Sequence, residues 1–138
     1  MEIRKIRSED FTPVLKLSAQ MGYSIDDEGV ANLSKLSTYP EHLVLVAVSS
    51  DTIVGYIHAF KTYRITSKPF YEIGGLLVDE NHRRRGIGKA LIDAFFKELP
   101  NGIEVRVRSN EKRLEAFQFY ASLGFEVLKR QVVFKKEI

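Results

Sequence analysis

The stretch that decides the fold is Val78-Asp-Glu-Asn-His-Arg-Arg-Arg-Gly-Ile-Gly-Lys-Ala-Leu91. The apolar run from Leu76 to Val78 predicts the end of a strand. The apolar residues after the loop recur at helical spacing, so a helix is predicted to begin near Gly86. A helix N-terminus presents unpaired N–H groups and partial positive charge, which bind phosphate. Gly86 and Gly88 lack the Cβ atoms that would keep an oxyanion away from those amides. The stretch therefore predicts a pyrophosphate site.

The loop matches neither of two common phosphate-binding motifs. The NTPase loop requires Gly-x-x-x-x-Gly-Lys-[Ser/Thr], but Ala90 follows the Gly-Lys pair and Arg83 occupies the position of the first glycine. The dinucleotide motif requires Gly or Ala three residues after its second glycine and an acid about 20 residues further on. Position 91 is leucine and the later region is basic. What remains is the pattern [Arg/Gln]-x-x-Gly-x-Gly at residues 83–88.

This pattern resembles the acetyl-CoA loop of the GNAT superfamily of N-acetyltransferases. A second block, Ala116-Phe-Gln-Phe-Tyr-Ala-Ser-Leu-Gly-Phe125, is similar to the second GNAT hallmark, Ala-x-x-Phe-Tyr-x-x-x-Gly-Phe. The blocks occur in the family's order, with room for one helix and one strand between them. The resemblance covers most of the chain, since the flanking elements also fit it.

The predicted element order is β-α-α-β-β-β-α-β-α-β, which mixes a hairpin at residues 43–60 with βαβ crossovers. Such an order predicts an α+β fold with a mixed sheet, and the family has the same order. The resemblance implies three layers: a mixed, mostly antiparallel central sheet with a splayed strand pair, and flanking helices. The last β region is predicted from its apolar residues, which are Val127, Leu128, Val132, Val133 and Phe134.

The resemblance implies acetyl-CoA as the co-substrate and assigns its contacts. The implied cofactor-binding residues are Leu76, Leu77, Val78, Arg83, Arg84, Arg85, Gly86, Ile87, Gly88 and Lys89. Many members also carry an Asn seven residues before the hallmark tyrosine, a position that Arg113 occupies here. Arg113 could reach a phosphate of the cofactor. Asn110 lies three residues too early for the Asn role and is predicted to be a helix N-cap instead.

Tyr120 is the predicted general acid, because its family counterpart protonates the departing thiolate. A phenol with pKa near 10 stays protonated at neutral pH and suits a thiolate of pKa near 8.5. The spacing of Ala116, Phe119, Tyr120 and Leu123 would also explain a purely structural tyrosine in the core.

Glu72 is the leading candidate for the general base. It lies six residues before Val78 on the same predicted strand, the offset of the catalytic glutamate in the histone-acetylating branch of the family. Glu104 on the neighbouring strand is the second candidate, and a water relay without a single base is the third. Glu72 could alternatively be a solvated or ion-paired residue of the sheet.

Gly74 and Gly75 lie inside a predicted strand, where glycine often marks a bulge or a close backbone approach. The resemblance implies a bulge that splays this strand from the strand at residues 103–108. The opening would admit the pantetheine arm, whose amides would pair with the backbone of Leu76 and Val78. A plain packing bulge is the alternative.

Composition sets further limits. The 138 residues suit one domain, residues 1–138, of ordinary soluble character with 44% hydrophobic and 28% charged residues. Cysteine is absent, so no disulfide, thiolate nucleophile or Cys-based metal site is possible, which fits a cytoplasmic location. No apolar run reaches the ~20 residues of a membrane span. The three histidines lack metal-ligand spacing, so we expect no metal.

The predicted activity is direct transfer of an acetyl group from acetyl-CoA to a primary amine of a small molecule or peptide, because no cysteine can form an acyl-enzyme. A catalytically silent acyl-CoA-binding sensor or partner module of the same fold is the alternative. A nucleic-acid-binding domain using residues 83–85 is disfavoured, since the net charge is only +3. The acceptor and oligomeric state stay open, and the terminal β region could pair across a homodimer.

Overall fold

The computed structural model describes residues 1–23 and 25–138. The strands are β1 (Glu2–Lys5), β2 (His42–Ser49), β3 (Thr52–Arg64), β4 (Ser67–Val78) and β5 (Val105–Val107), and the α-helices are α1 (Phe11–Ser18), α2 (Asp27–Thr38), α3 (Ile87–Lys97) and α4 (Leu114–Ser122). Short 3-10 turns lie at Ser8–Asp10, Ala19–Met21 and Glu80–His82. The chain divides into two compact units, Met1–Arg108 and Ser109–Ile138.

The first unit is built on a five-stranded sheet of order β1-β2-β3-β4-β5. Neighbouring strands are antiparallel except β4 and β5, which are parallel and are joined through α3. The β2–β3 hairpin turns at Ser50 and Asp51, which have φ of 49° and 61°, as the central residues of a hairpin turn that twists with its strands require. The predicted mixed, mostly antiparallel sheet with flanking helices is confirmed.

The core of this unit lies between α3 and the sheet. Leu91, Ile92 and Phe95 on α3 are completely buried, which accounts for the apolar stripe that the sequence shows at helical spacing. Gly55 on β3 allows this close packing, because a Cβ there would lie 3.3 Å from Leu91 Cδ1. The helix that begins at the glycine-bearing loop is thus fixed to the sheet by its own apolar face.

Asp10 is a buried acidic residue just before α1. Residues Ser8–Asp10 form a separate 3-10 turn, and Asp10 is only 4% exposed. Its carboxylate accepts two hydrogen bonds from the Arg4 guanidinium, at 2.6 and 3.0 Å, and one from the Arg7 N–H at 2.8 Å. The buried ion pair joins β1 to the segment that enters α1.

The second unit contains α4 and the segment that follows it. The predicted strand in this segment is not formed, because no partner strand pairs with it in the described structure, and an isolated extended segment has no ladder to stabilise it. Residues 126–138 are all exposed, and Phe134 is 91% exposed. In the described part of the chain, no helix is long and apolar enough to cross a membrane.

Candidate active site

The predicted phosphate loop lies at the N-terminus of α3. Gly86 is the N-cap and has φ +78°, a left-handed conformation that glycine adopts without strain. The first backbone bond of the helix runs from the Ala90 N–H to the Gly86 carbonyl at 3.0 Å. The N–H groups of residues 87–89 have no hydrogen-bond partner among the described residues, so they are available to an anion.

Positive charge surrounds these amides. The side chains of residues 83–85 are all exposed, and Arg84 has φ +62°. Arg83 folds back so that its Nε lies 3.4 Å from the Val78 carbonyl oxygen, whereas Lys89 pairs with Asp93 one turn along α3 at 2.8 Å. The loop therefore presents three arginines and the helix amides at one point, while Lys89 is partly neutralised.

A hydrogen-bond network that the sequence did not suggest holds the start of this loop. Asp79 accepts a 2.8 Å bond from Gln20 Nε2 and lies 2.7 Å from His82 Nδ1. Gln20 Oε1 in turn accepts a 3.1 Å bond from the Glu80 N–H. The bond from Gln20, together with that from His82, lowers the pKa of Asp79. The loop is thus tied to the 3-10 turn after α1.

The predicted bulge occurs at Gly74. His58 pairs with Gly75 and Ala59 with Ile73, so Gly74 is the extra residue of β4. A Cβ at Gly74 would lie 2.9 Å from the Phe60 ring and 3.0 Å from His58 Nδ1, which explains the glycine by close approach. The β4–β5 pairing runs from Tyr71 to Ile73 and stops at the bulge. Beyond it, β4 has one edge without a partner strand in the described first unit.

Backbone direction decides which groups of β4 face that open edge. The Asp79 N–H bonds to the Val54 carbonyl of β3 at 2.8 Å, and the Leu77 carbonyl oxygen lies 3.0 Å from the Cβ position of Gly55. Because hydrogen-bonding direction alternates along a strand, Leu77 faces β3. Leu76 and Val78 therefore present their N–H and C=O groups to the open edge. Leu77 contributes a buried side chain instead.

Glu72, the candidate base, lies on β4 just before the bulge and on the sheet face opposite α3. Its side chain is 14% exposed, and Oε1 lies 3.2 Å from Arg108 Nε. Glu72 pairs with Phe60 on one side and with Arg106 on the other. Glu104, the second candidate, is bonded to Arg106 Nε. Both candidate carboxylates are therefore ion-paired, and Glu72 is the more buried.

Two histidines that lie 16 residues apart in the sequence, His42 and His58, are in contact beside the bulge. His42 Nδ1 lies 2.9 Å from His58 Nε2, and both rings contact Phe60, with centroids 5.4 and 5.5 Å away. Burial, with a smaller contribution from His42, lowers the pKa of His58 to about 4, so His58 is neutral at pH 7. The neutral His58 ring therefore lies beside Phe60 on the β3 side of Glu72.

In the second unit, Tyr120 lies on α4, half-buried, with its ring against Phe119 and Phe125 at centroid distances of 5.2 and 5.5 Å. Burial raises its pKa, and Arg113 opposes the shift. Tyr120 is therefore protonated at neutral pH. Arg113 is the exposed N-cap of α4. The prediction of Asn110 as that N-cap is wrong, because its Oδ1 accepts from the Lys112 N–H at 3.0 Å, within the preceding turn.

Residues 40–127 match the family model described as acetyltransferase (GNAT) domain. That match spans more than half of the chain, and the chain belongs to the GNAT acetyltransferase family. No curated protein matches the chain.

Several solved structures are similar over nearly the whole length. An aminoglycoside acetyltransferase, meta-AAC0020, from an uncultured soil metagenomic sample in complex with trehalose has 30% identity and a TM-score of 0.80, covering 99% of this chain and 95% of that one. The aminoglycoside 6'-N-acetyltransferase AAC(6')-Ih from Acinetobacter baumannii has 21% identity and a TM-score of 0.87, covering 99% and 98%. The aminoglycoside N-acetyltransferase AAC(6')-Iy in complex with CoA has 22% identity and a TM-score of 0.88, covering 99% and 95%.

Proposed function

We propose that this chain is an acetyl-CoA-dependent N-acetyltransferase that acetylates a primary amine of a small molecule or peptide. The observation that carries the proposal is the group of unpaired N–H groups at residues 87–89, surrounded by the exposed arginines 83–85. Backbone amides at a helix N-terminus and nearby guanidinium groups together suit a pyrophosphate. Membership of the GNAT family and the CoA complex of a structural neighbour support acetyl-CoA as the co-substrate.

In this proposal, each part of the site has one binding role. The amides from Gly86 to Lys89 and the neighbouring arginines hold the pyrophosphate. The open-edge backbone of Leu76 and Val78 pairs with the pantetheine amides, as an added strand does. A backbone N–H at the open edge could also polarise the thioester carbonyl. We assign this role to Val78, because the Leu77 N–H faces β3. Arg113 supplies a further phosphate contact, as the family resemblance implies.

The transfer itself needs two proton movements. The neutral amine attacks the thioester carbonyl, a C–N bond forms and the C–S bond breaks. We assign Glu72 to accept the amine proton and Tyr120 to donate a proton to the departing thiolate. Burial raises the pKa of Tyr120, so its phenol stays protonated at neutral pH and holds the proton that this step needs. No cysteine is present to form an acyl-enzyme, so we propose direct transfer within a ternary complex.

The first test measures CoA binding by calorimetry and acetyl-CoA-dependent thiol release across a panel of primary amines. We expect measurable binding and turnover, and a fall in kcat of about 100- to 10,000-fold for Tyr120→Phe, the range for loss of a general acid. Tyr63→Phe, which removes an exposed hydroxyl, is the matched control and should keep full activity. CoA affinity should be the same in both variants.

The outcomes separate the alternatives. Binding without turnover on any amine would identify a catalytically silent acyl-CoA-binding module and contradict the enzyme proposal. No binding of CoA at millimolar concentration would contradict the phosphate site itself. Full activity of Tyr120→Phe would mean that Tyr120 is structural and that the thiolate leaves without this acid.

We also propose a homodimer formed through residues 125–138. This segment exposes Val132, Val133 and Phe134 together, and exposed apolar clusters mark interaction sites. The three-residue β5 is an edge strand of the sheet, and free edges pair with other chains. We expect light scattering to give a dimer mass for the native chain and a monomer mass for Phe134→Glu. Lys16→Gln, at an exposed position of the first unit, changes the net charge by the same amount and is the control. A monomer at every concentration of the native chain would contradict the dimer.

Three other expectations stay predictions. They are a single domain over residues 1–138, a cytoplasmic location, and catalysis without a metal, nucleic acid or membrane partner. Limited proteolysis between the two compact units would test the first of these, since a linker between independent domains is cut more readily than a segment within one domain.

A further inference from the structure

We propose that the acceptor carries a carboxylate close to its primary amine, and that Arg64 and Arg106 bind this carboxylate while Glu72 faces the amine. The inference rests on the proposed function and narrows its acceptor to amino acids and related zwitterions. It starts from the sheet face that carries Glu72, where the guanidinium groups of Arg64 and Arg106 lie against the ring of Phe70.

The guanidiniums are held in place by one aromatic ring. Phe70 lies two residues before Glu72 on the same face of β4 and is 1% exposed. The Arg106 guanidinium lies 3.9 Å from the ring centroid of Phe70, and that of Arg64 lies 5.2 Å from it. Stacking on an aromatic ring restricts a guanidinium and leaves its edge N–H groups free to donate. Both arginines are therefore ordered before a ligand binds.

Both arginines also have guanidinium N–H groups that donate to no carboxylate among the described residues. Arg106 bonds Glu104 through Nε only, so its two terminal nitrogens have no acidic partner among the described residues. Among residues 1–23 and 25–138, no carboxylate lies within ion-pair distance of Arg64. A planar guanidinium with free N–H groups matches a carboxylate by paired, charge-assisted bonds.

The charges nearby favour a zwitterion over a polycation. Arg64 and Arg106 have between them one carboxylate partner among the described residues, that of Glu104. A polyamine would meet this excess of positive charge, and like charges disfavour binding. A zwitterion would place its amine toward Glu72 and its carboxylate toward the arginines instead.

The spacing limits the length of that zwitterion. Arg106 and Glu72 are direct neighbours across the β4–β5 pair, and adjacent strands lie about 4.8 Å apart. The amine and the carboxylate of the ligand should therefore be separated by a few bonds. The uncharged rings of His58 and Phe60 border Glu72 on the other side, so the arginine side is the one that can recognise an anion.

The test compares amines that differ only in the carboxylate. The probes are glycine, β-alanine and 4-aminobutyrate, each beside its primary amide, with sisomicin as the polycation. Amidation of the carboxyl group removes the negative charge and keeps the amine. We expect kcat/KM to favour at least one acid over its amide by about 10- to 100-fold, the factor for a hydrogen bond to a charged group.

The variants assign that preference to the two arginines. Arg64→Gln and Arg106→Gln should each raise KM for the acid by about tenfold or more and leave KM for acetyl-CoA unchanged. Arg106→Lys keeps the charge, loses the planar fork, and should recover only part of the preference. Arg7→Gln removes an exposed arginine elsewhere and is the control for net charge. Thermal melting of each variant checks that Phe70 stays packed.

Two results would overturn the site. One is transfer to the amides or to sisomicin without preference for an acid, which would leave the acetyltransferase function intact. The other is a preference that survives in both glutamine variants. No transfer to these probes, with turnover on other primary amines of the panel, would overturn the carboxylate site and leave the proposed function intact. No turnover on any amine, with CoA still bound, would contradict the proposed function itself.

Discussion

Asp10→Ala is expected to lower the free energy of unfolding by about 3–5 kcal/mol, the cost of removing one partner of a buried ion pair. The substitution leaves the Arg4 guanidinium, whose side chain is 17% exposed, without its two carboxylate bonds. It also removes the acceptor of the Arg7 N–H. Urea unfolding followed by circular dichroism measures the change.

The control is Glu9→Ala at the adjacent position. Glu9 and Arg7 form a pair at 3.7 Å in which both side chains are largely exposed, and such pairs contribute at most about 1 kcal/mol. A loss below about 1 kcal/mol for Asp10→Ala would show that the buried pair does not stabilise the first unit. A loss equal to that of Glu9→Ala would lead to the same conclusion.

The same residue makes stability depend on pH. The Arg4 hydrogen bond, with the Arg7 N–H, lowers the pKa of Asp10 below its ordinary value. A carboxylate with a lowered folded-state pKa contributes its full stabilisation above the unfolded-state pKa of about 3.9. The contribution is lost as pH falls through the folded-state value. Asp10→Asn should therefore flatten the acid side of the stability profile.

The conformation of the glycine-bearing loop and the helix that follows it could be predicted from sequence, because the interactions that form them are local. The apolar spacing after Gly86, the glycine N-cap and the basic loop all act within one segment, and the structure begins α3 at Ile87. The bulge at Gly74 could be predicted as well, since glycine weakens the interior of a strand and often marks a bulge there. The sequence could not identify the side chains that leave no room for a Cβ at Gly74, which are the rings of Phe60 and His58.

Long-range side-chain pairs were missed because they depend on contacts that no single segment encodes. The His42–His58 contact depends on the hairpin register, which shifts by one residue at a bulge between Ala47 and Val48. A hairpin centred on Ser50 and Asp51 places the two histidines near each other, but a one-residue slip reverses the face of every side chain. Periodicity alone could not decide whether they met.

The prediction of a terminal strand was wrong for a different reason. Apolar residues such as Val132 and Val133 have strand propensity, but a strand forms only where a partner supplies hydrogen bonds. In the described chain these residues are exposed. The composition therefore indicated a segment suited to pairing, and the sequence could not say whether the partner lies in this chain or in a second copy.

Glu72→Gln is expected to lower kcat by about 100- to 10,000-fold, the range for loss of a general base. The expected size depends on the acceptor. An alkylamine with pKa near 10.4 is neutral in only roughly 1 of 2,500 molecules at pH 7, whereas an α-amine near 7.7 is neutral in roughly 1 of 6. Removal of the base should therefore cost much more with the first kind of acceptor than with the second. Kinetics with one acceptor of each kind, at several pH values, measures the difference.

Glu104→Gln distinguishes the remaining candidates in the same assay. Glu104 is held by Arg106 and is more exposed than Glu72, with side-chain exposures of 55% and 14%. If the larger loss of kcat follows Glu104→Gln, the second carboxylate is the base. If neither variant changes the ratio between the two acceptors, water removes the proton. Either result would contradict the assignment of Glu72 as the general base. The ion-pair partner of Glu72, Arg108, is exposed, so Glu72→Gln should change the stability of the fold little. A loss of activity in this variant would then reflect the chemistry and not unfolding.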